Sequence, residues 1–225
     1  MTCDPDAVLQ RPRDISFAID RAVEWNGEHP DLKGRIDASK VAVLGHSFGA
    51  YTTLAACGAR PILDYLDPPV EPATGLAGDL SDRRITIGVA MSPQGTGTSR
   101  FGPESFKTLS RPILAFSGTK DVEFGPDGKE VPPEDRKNGF DLWSAGSKVL
   151  IWMENVDHMA FADNPKSWLF PSAARPDTMR IVMEMTRLFC DWKLKGNEAA
   201  RAAFSEKHAK ELLGGVVTKL TWLER

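Results

Sequence analysis

Residues 40–57 constrain the fold more than any other stretch of the chain. Lys40-Val41-Ala42-Val43-Leu44 is short, apolar and rich in β-branched residues, the composition of a buried strand. Ala50 to Cys57 contains neither Pro nor Gly and can wind at once into a helix. Between them stands Gly45-His46-Ser47-Phe48-Gly49. A strand that runs straight into a helix through a serine flanked by glycines makes a sharp corner. The serine is held there in a strained, exposed conformation, and the glycines let the turn close. Ser47 is thus the candidate nucleophile. The backbone N–H of Phe48, at the start of the helix, is the candidate oxyanion donor.

The rest of the chain alternates strand and helix signals. Apolar residues at Ile15, Ala18, Ile19, Ala22 and Val23 have helical spacing and predict a helix over 13–26. The first strand is predicted at 40–45, followed by a helix to about Ala59. A connection rich in Pro, Asp and Gly covers 60–83. Further strands are predicted at Ile85–Met91, Ile113–Ser117 and Lys148–Met153. Residues 122–133 read as loop and 134–146 as a helix closed by Gly146. A long helix is predicted from Asp177 to Lys195, and then a charged amphipathic segment over 197–213. This alternation predicts an α/β fold with a mostly parallel sheet, formed by residues 1–225 as a single domain.

Composition excludes several classes. A net charge of −3 and the lack of a basic run give no surface for nucleic acid. No apolar stretch approaches the roughly 18 residues of a membrane span. The N-terminus lacks the charged start and apolar run of a secretory signal. Cys3, Cys57 and Cys190 are odd in number and far apart, which argues against a disulfide framework or a zinc site. The reading is a protein of a reducing, cytoplasmic setting with no structural metal site.

A serine hydroxyl needs a base within hydrogen-bond reach, and the base needs an acid to orient it. In parallel sheets such groups gather at the C-terminal strand ends. Of the four histidines, His46 adjoins the serine and its side chain should point away. His29 precedes Pro30 in a polar loop, and His208 lies on a charged helix. His158 follows the last predicted strand and is the candidate base. Asp121 ends the third strand and is the candidate acid, preferred over Asp157, Asp127 and Asp135. Met91, Gln94, Phe124, Met159 and Phe161 fall near the predicted site and are candidates for lining a substrate pocket, although ordinary core packing is the readier reading of each. The loops 60–83 and 122–133 are candidates for a partial lid.

Several segments resemble the α/β-hydrolase superfamily, and more narrowly its dienelactone-hydrolase and platelet-activating-factor-acetylhydrolase-like esterases. They are Gly45-His46-Ser47-Phe48-Gly49, Met91-Ser92-Pro93-Gln94-Gly95, Ser117-Gly118-Thr119-Lys120-Asp121 and Asp157-His158-Met159-Ala160-Phe161. The stretch from Phe189 to Phe204 is similar to that group's terminal helix and tail. The order Ser, Asp, His is also the order of α/β-hydrolases. The resemblance implies a cofactor-independent carboxylic ester hydrolase with Ser47, Asp121 and His158 as its triad. Neither of the loops 60–83 and 122–133 is long enough for a separate lid domain, which favours small or short-chain esters. Acyl transfer, perhydrolysis or lactone opening by the same triad are the alternatives, as is a hydrolase fold that only binds.

One departure stands out. Such hydrolases usually place about four strands before the serine corner, and only about 40 residues precede it here. The second oxyanion donor usually supplied by that region is absent. Either the chain is a fragment, truncated at its N-terminal side, or it is a natural minimal hydrolase. The second reading expects a homodimer through the uncovered edge of the Val41–Leu44 strand, with the second donor recruited near Gln94.

Overall fold

A computed structural model describes residues 3–125, 127–162 and 171–225. In chain order its elements are α1 (Pro5–Glu28), β1 (Val41–His46), α2 (Phe48–Ala56), β2 (Ile85–Met91), β3 (Ile113–Lys120), β4 (Glu123–Phe124), β5 (Glu130–Val131), α3 (Glu134–Phe140), β6 (Lys148–Asp157), α4 (Arg175–Lys195), α5 (Glu198–Ala203), α6 (Glu206–Glu211) and β7 (Leu220–Glu224). Short 3₁₀ turns occupy Pro103–Phe106 and His158–Phe161. Five strands form one sheet in the order β1-β2-β3-β6-β7. The first four run parallel, and β7 closes the far edge antiparallel to β6. This is the mostly parallel α/β sheet flanked by helices expected of an α/β-hydrolase-like chain.

The sheet is apolar on both faces because its strands alternate between two cores. Ile113, Ala115, Leu150 and Trp152 point into a core shared with α2 and the buried Phe101, Phe106, Phe140 and Trp143. Leu114, Phe116, Val149, Ile151 and Met153 point the other way, against Ile181, Met185, Leu188 and Phe189 of α4. Among the described residues no strand precedes β1, and β1 pairs only with β2. Leu44 on that edge is half exposed.

Several boundaries differ from the sequence reading. β3 and β6 each run past their predicted ends because they pair with one another out to Lys120 and Asp157. The predicted loop 122–133 contains the small antiparallel pair β4–β5. The helix predicted over 134–146 ends at Phe140, where Leu142 and Trp143 bond back three residues in tighter turns and Trp143 is buried. β7 was not predicted; half-buried at its centre and ending in charge, it has no clear alternation.

The longest difference is α1, which begins eight residues before its predicted start. Asp4 caps it by accepting from Asp6 N–H, and Pro5 fits the first turn. Pro12 then lies inside the helix. A proline has no N–H, so the Val8 carbonyl four residues back loses its helical donor. Val8 is fully buried, and the Tyr51 hydroxyl of α2 donates to that carbonyl at 3.1 Å. The tertiary contact replaces the missing helical bond and pins α1 against α2. Arg11, beside the proline, places its guanidinium 5.0 Å from the Phe48 ring, so α1 also backs the residue after Ser47.

Replacing Tyr51 with Phe would leave the Val8 carbonyl buried without a donor. The variant is expected to lose about 1–3 kcal/mol of unfolding free energy in urea titrations. An unchanged midpoint would mean that the bond does not hold α1.

Candidate active site

Strand register builds the site. His46 pairs with Met91 at the ends of β1 and β2, and Lys120 pairs with Asp157 at the ends of β3 and β6. The next residue on three of these strands is Ser47, Asp121 or His158, so the three side chains reach one rim of the sheet. His158 Nε2 stands 2.9 Å from Ser47 Oγ, and His158 Nδ1 stands 2.8 Å from Asp121 Oδ1.

The corner at Ser47 is strained. Its φ of 59° and ψ of −118° lie where a residue with a side chain is rarely found. Two features hold it. Ser47 N–H donates to the Met91 carbonyl at 3.0 Å, and Gln94 Nε2 donates to the Ser47 carbonyl at 3.0 Å. The flanking glycines differ in purpose. A Cβ on Gly45 would fall 2.2 Å from the backbone of Gly49, because α2 folds directly back over the strand end. A Cβ on Gly49 would meet nothing within 4 Å. Only the first glycine is demanded by this close approach.

Asp121 is fully buried. Its Oδ1 accepts from His158 and lies 3.1 Å from Arg136 Nη2, while Oδ2 accepts from the Ser117 hydroxyl at 2.8 Å. Burial alone would raise its pKa. The His158 hydrogen bond and the Arg136 charge outweigh that and hold the carboxyl below its usual range. Asp157 is turned away, with Oδ1 capping Met159 N–H at 2.9 Å and Oδ2 accepting from Ser172 at 2.5 Å. Asp135 accepts from Gly97 N–H, and Asp127 sits at the tip of the β4–β5 pair. His208 lies between Glu184 and Glu211, far along the chain from this rim, and His29 accepts from Asp31 N–H at the end of α1.

His46 packs beside the site. Its ring centroid is 4.7 Å from that of His158 and 5.8 Å from that of Phe161, and its Nε2 is buried without a partner. Burial, then the nearby His158, pulls its pKa down to about 4. The ring is therefore neutral near pH 7, and its burial is tolerated for that reason.

A cleft of about 290 Å³ opens over Ser47 and His158. Gln94, Phe124 and Met159 line it together with Phe48 and Val122. Met91 and Phe161 do not; they pack into the core against α4 and its neighbours. Arg100 and Glu123 also border the cleft, joined by an ion pair at 3.0 Å. Neither is legible in the sequence, nor is Arg136, because a charged residue in a polar loop or on a charged helix reads as solvated. The one available signal was position: Glu123 lies two residues beyond Asp121.

A family model described as platelet-activating factor acetylhydrolase, isoform II, matches residues 14–60, about a fifth of the chain. The matched stretch runs from α1 through β1 and the Ser47 corner to just beyond α2. The chain resembles that family over this stretch. None of the curated proteins matches the chain significantly.

Gly45→Ala should prevent the corner from closing and lower the melting temperature sharply. Gly49→Ala, in the first turn of α2, should leave it unchanged or raise stability by up to about 1 kcal/mol. Equal losses in the two variants would contradict the difference in close approach.

For His46, the unfolded chain takes up a proton near pH 6.5 that the folded protein refuses until about pH 4. The stability it contributes is present above pH 6.5 and is lost as pH falls towards 4. Denaturant titrations across that window should show the wild type losing about 3 kcal/mol more than a His46→Gln variant. Parallel curves for the two proteins would show that the ring titrates normally.

Proposed function

We propose that this protein is a serine hydrolase of carboxylic esters that works through an acyl-enzyme on small or short-chain substrates. One observation carries the reading: a serine on a strained strand-to-helix corner is hydrogen-bonded to an imidazole whose other nitrogen meets a buried carboxylate. Such an arrangement activates an otherwise weak hydroxyl. The match of residues 14–60 to a family described as an acetylhydrolase supports an esterase-type hydrolase.

In this mechanism Ser47 Oγ attacks the ester carbonyl carbon while His158 Nε2 accepts its proton. Asp121 keeps the proton on Nδ1 and stabilises the imidazolium that forms. The first N–H groups of α2 have no helical acceptor, and that of Phe48 steadies the oxyanion. His158 then returns the proton to the departing alkoxide, leaving an acyl group on Ser47. Water attacks the acyl carbon in the second half, again with His158 as base, and releases the acid.

The cleft favours short acyl or alkoxy groups. Its volume is at the lower end for a small-molecule site. Phe48, Val122, Phe124 and Met159 supply its apolar walls.

Ser47→Ala should abolish turnover of p-nitrophenyl acetate and butyrate, and fluorophosphonate labelling with it. Asp121→Asn should lower kcat by about 10³–10⁴-fold. Activity should fall as the acyl chain lengthens beyond butyrate. Full activity in Ser47→Ala would refute the reading. A folded wild type that neither labels nor turns over these esters would leave a hydrolase fold that only binds. Added alcohol acceptors that outcompete water would indicate acyl transfer instead.

A further inference from the structure

Behind the imidazole, Asp121 begins a buried row of alternating charges whose other members the mechanism above does not use. Arg136 of α3 is about 1% exposed. Its Nε donates to the Asp121 carbonyl at 2.9 Å, and its Nη1 donates to the carbonyls of Ser92 and Pro93 at 2.8 and 2.9 Å. The same Nη1 meets Glu123 Oε2 at 2.9 Å, and Nη2 meets Asp121 Oδ1 at 3.1 Å. The other oxygen of Glu123 holds Arg100 at 3.0 Å. The row therefore reads Asp121, Arg136, Glu123, Arg100, with alternating sign and little exposure.

Arg136 Nη2 also stands 3.4 Å from His158 Nδ1. When Nδ1 carries the proton given to Asp121, neither nitrogen can accept from the other. Two donors then converge on one carboxylate oxygen. This holds Asp121 rigidly, but it places a fixed positive charge against a ring that must itself become positive during the reaction. Uncompensated, the guanidinium would oppose the imidazolium. Asp121 offsets the guanidinium on one side, and Glu123, whose carboxyl is pushed up by burial while Arg136 and Arg100 draw it down, adds a second negative group on the far side.

We propose that Glu123 and Arg136 act together as positioning residues for the base, Arg136 fixing the Asp121 carboxylate and Glu123 cancelling the charge that this brings next to His158. The inference rests on the hydrolase reading for its functional meaning. The charged and titratable groups that face His158 are Asp121 just past β3, Arg136 from α3, Glu123 from β4 and His46 from β1. On its own turn, Asp157 faces Met159 N–H and Ser172. His46 ionises only near pH 4 and lies below the window in question.

The test is the acid limb of the pH profile of kcat/KM for p-nitrophenyl acetate, which reports protonation of the free enzyme's base. It is paired with an NMR titration of the His158 ring C–H, which needs no turnover. Glu123→Gln keeps the shape and removes the negative charge, so both midpoints should move to lower pH by about half a unit to one unit. Arg136→Met should move them to higher pH. Arg136→Lys, which keeps the charge but loses the fork, should leave the midpoints in place while kcat falls by about 3- to 10-fold. If Arg136→Met does not fold, Glu123→Gln and Arg136→Lys decide the matter. Midpoints that stay fixed in Glu123→Gln, or that rise, would overturn the proposal. Ring midpoints that move as stated in a protein without esterase activity would support the charge balance and count against the hydrolase reading alone.

Discussion

The rim of the sheet is organised around one buried carboxylate. Asp121 leaves β3 where the strand stops pairing, and in that place it has no access to water. Its two oxygens take His158, Arg136 and, from its own strand, Ser117, so two segments from elsewhere in the chain share one acceptor group with β3. Burial makes this arrangement demanding: a carboxylate without those donors would protonate or force its surroundings apart. With them it remains charged, and the 158 turn, α3 and the end of β3 are tied together. The position of the imidazole over Ser47 follows from that.

The corner at Ser47 and the helix behind it solve a second problem. A residue with a side chain at φ 59° is costly, and it persists only where its surroundings hold it. Bonds from Ser47 N–H to Met91 and from Gln94 to the Ser47 carbonyl do so locally. Behind them, α2 carries Tyr51, whose hydroxyl occupies the carbonyl freed by Pro12 in α1. Phe48, Tyr51 and Phe101 stack with centroids 5.0 and 5.2 Å apart and connect the corner to the core. A helix irregularity some 40 residues upstream thus contributes to the stiffness of the corner.

The four parallel strands of this sheet are legible because parallel strands covered on both faces must be continuously apolar, and β2 in particular has the bounds its composition predicts. The three side chains nominated at the rim stand within hydrogen-bond reach because strand ends on a parallel sheet share one edge. Pocket residues were less legible. Gln94, Phe124 and Met159 border the cleft, whereas Met91 and Phe161 turn into the core, and a side chain at a strand end or in the turn beyond it carries no mark that separates the two fates. β7 and the β4–β5 pair were missed since short edge strands owe their form to a partner more than to their own pattern.

Local chemistry alone determined the order of the four parallel strands and the helices between them, the serine corner and the histidine that follows the last of those strands, because apolar periodicity and turn residues act over a few neighbouring positions. Only the tertiary structure decided that Arg136, Glu123 and Arg100 are buried together behind the imidazole. In the sequence each is one more charge in a polar stretch. Burial becomes tolerable only once the fold brings opposite charges within about 3 Å of one another, and no span of neighbouring residues contains that information.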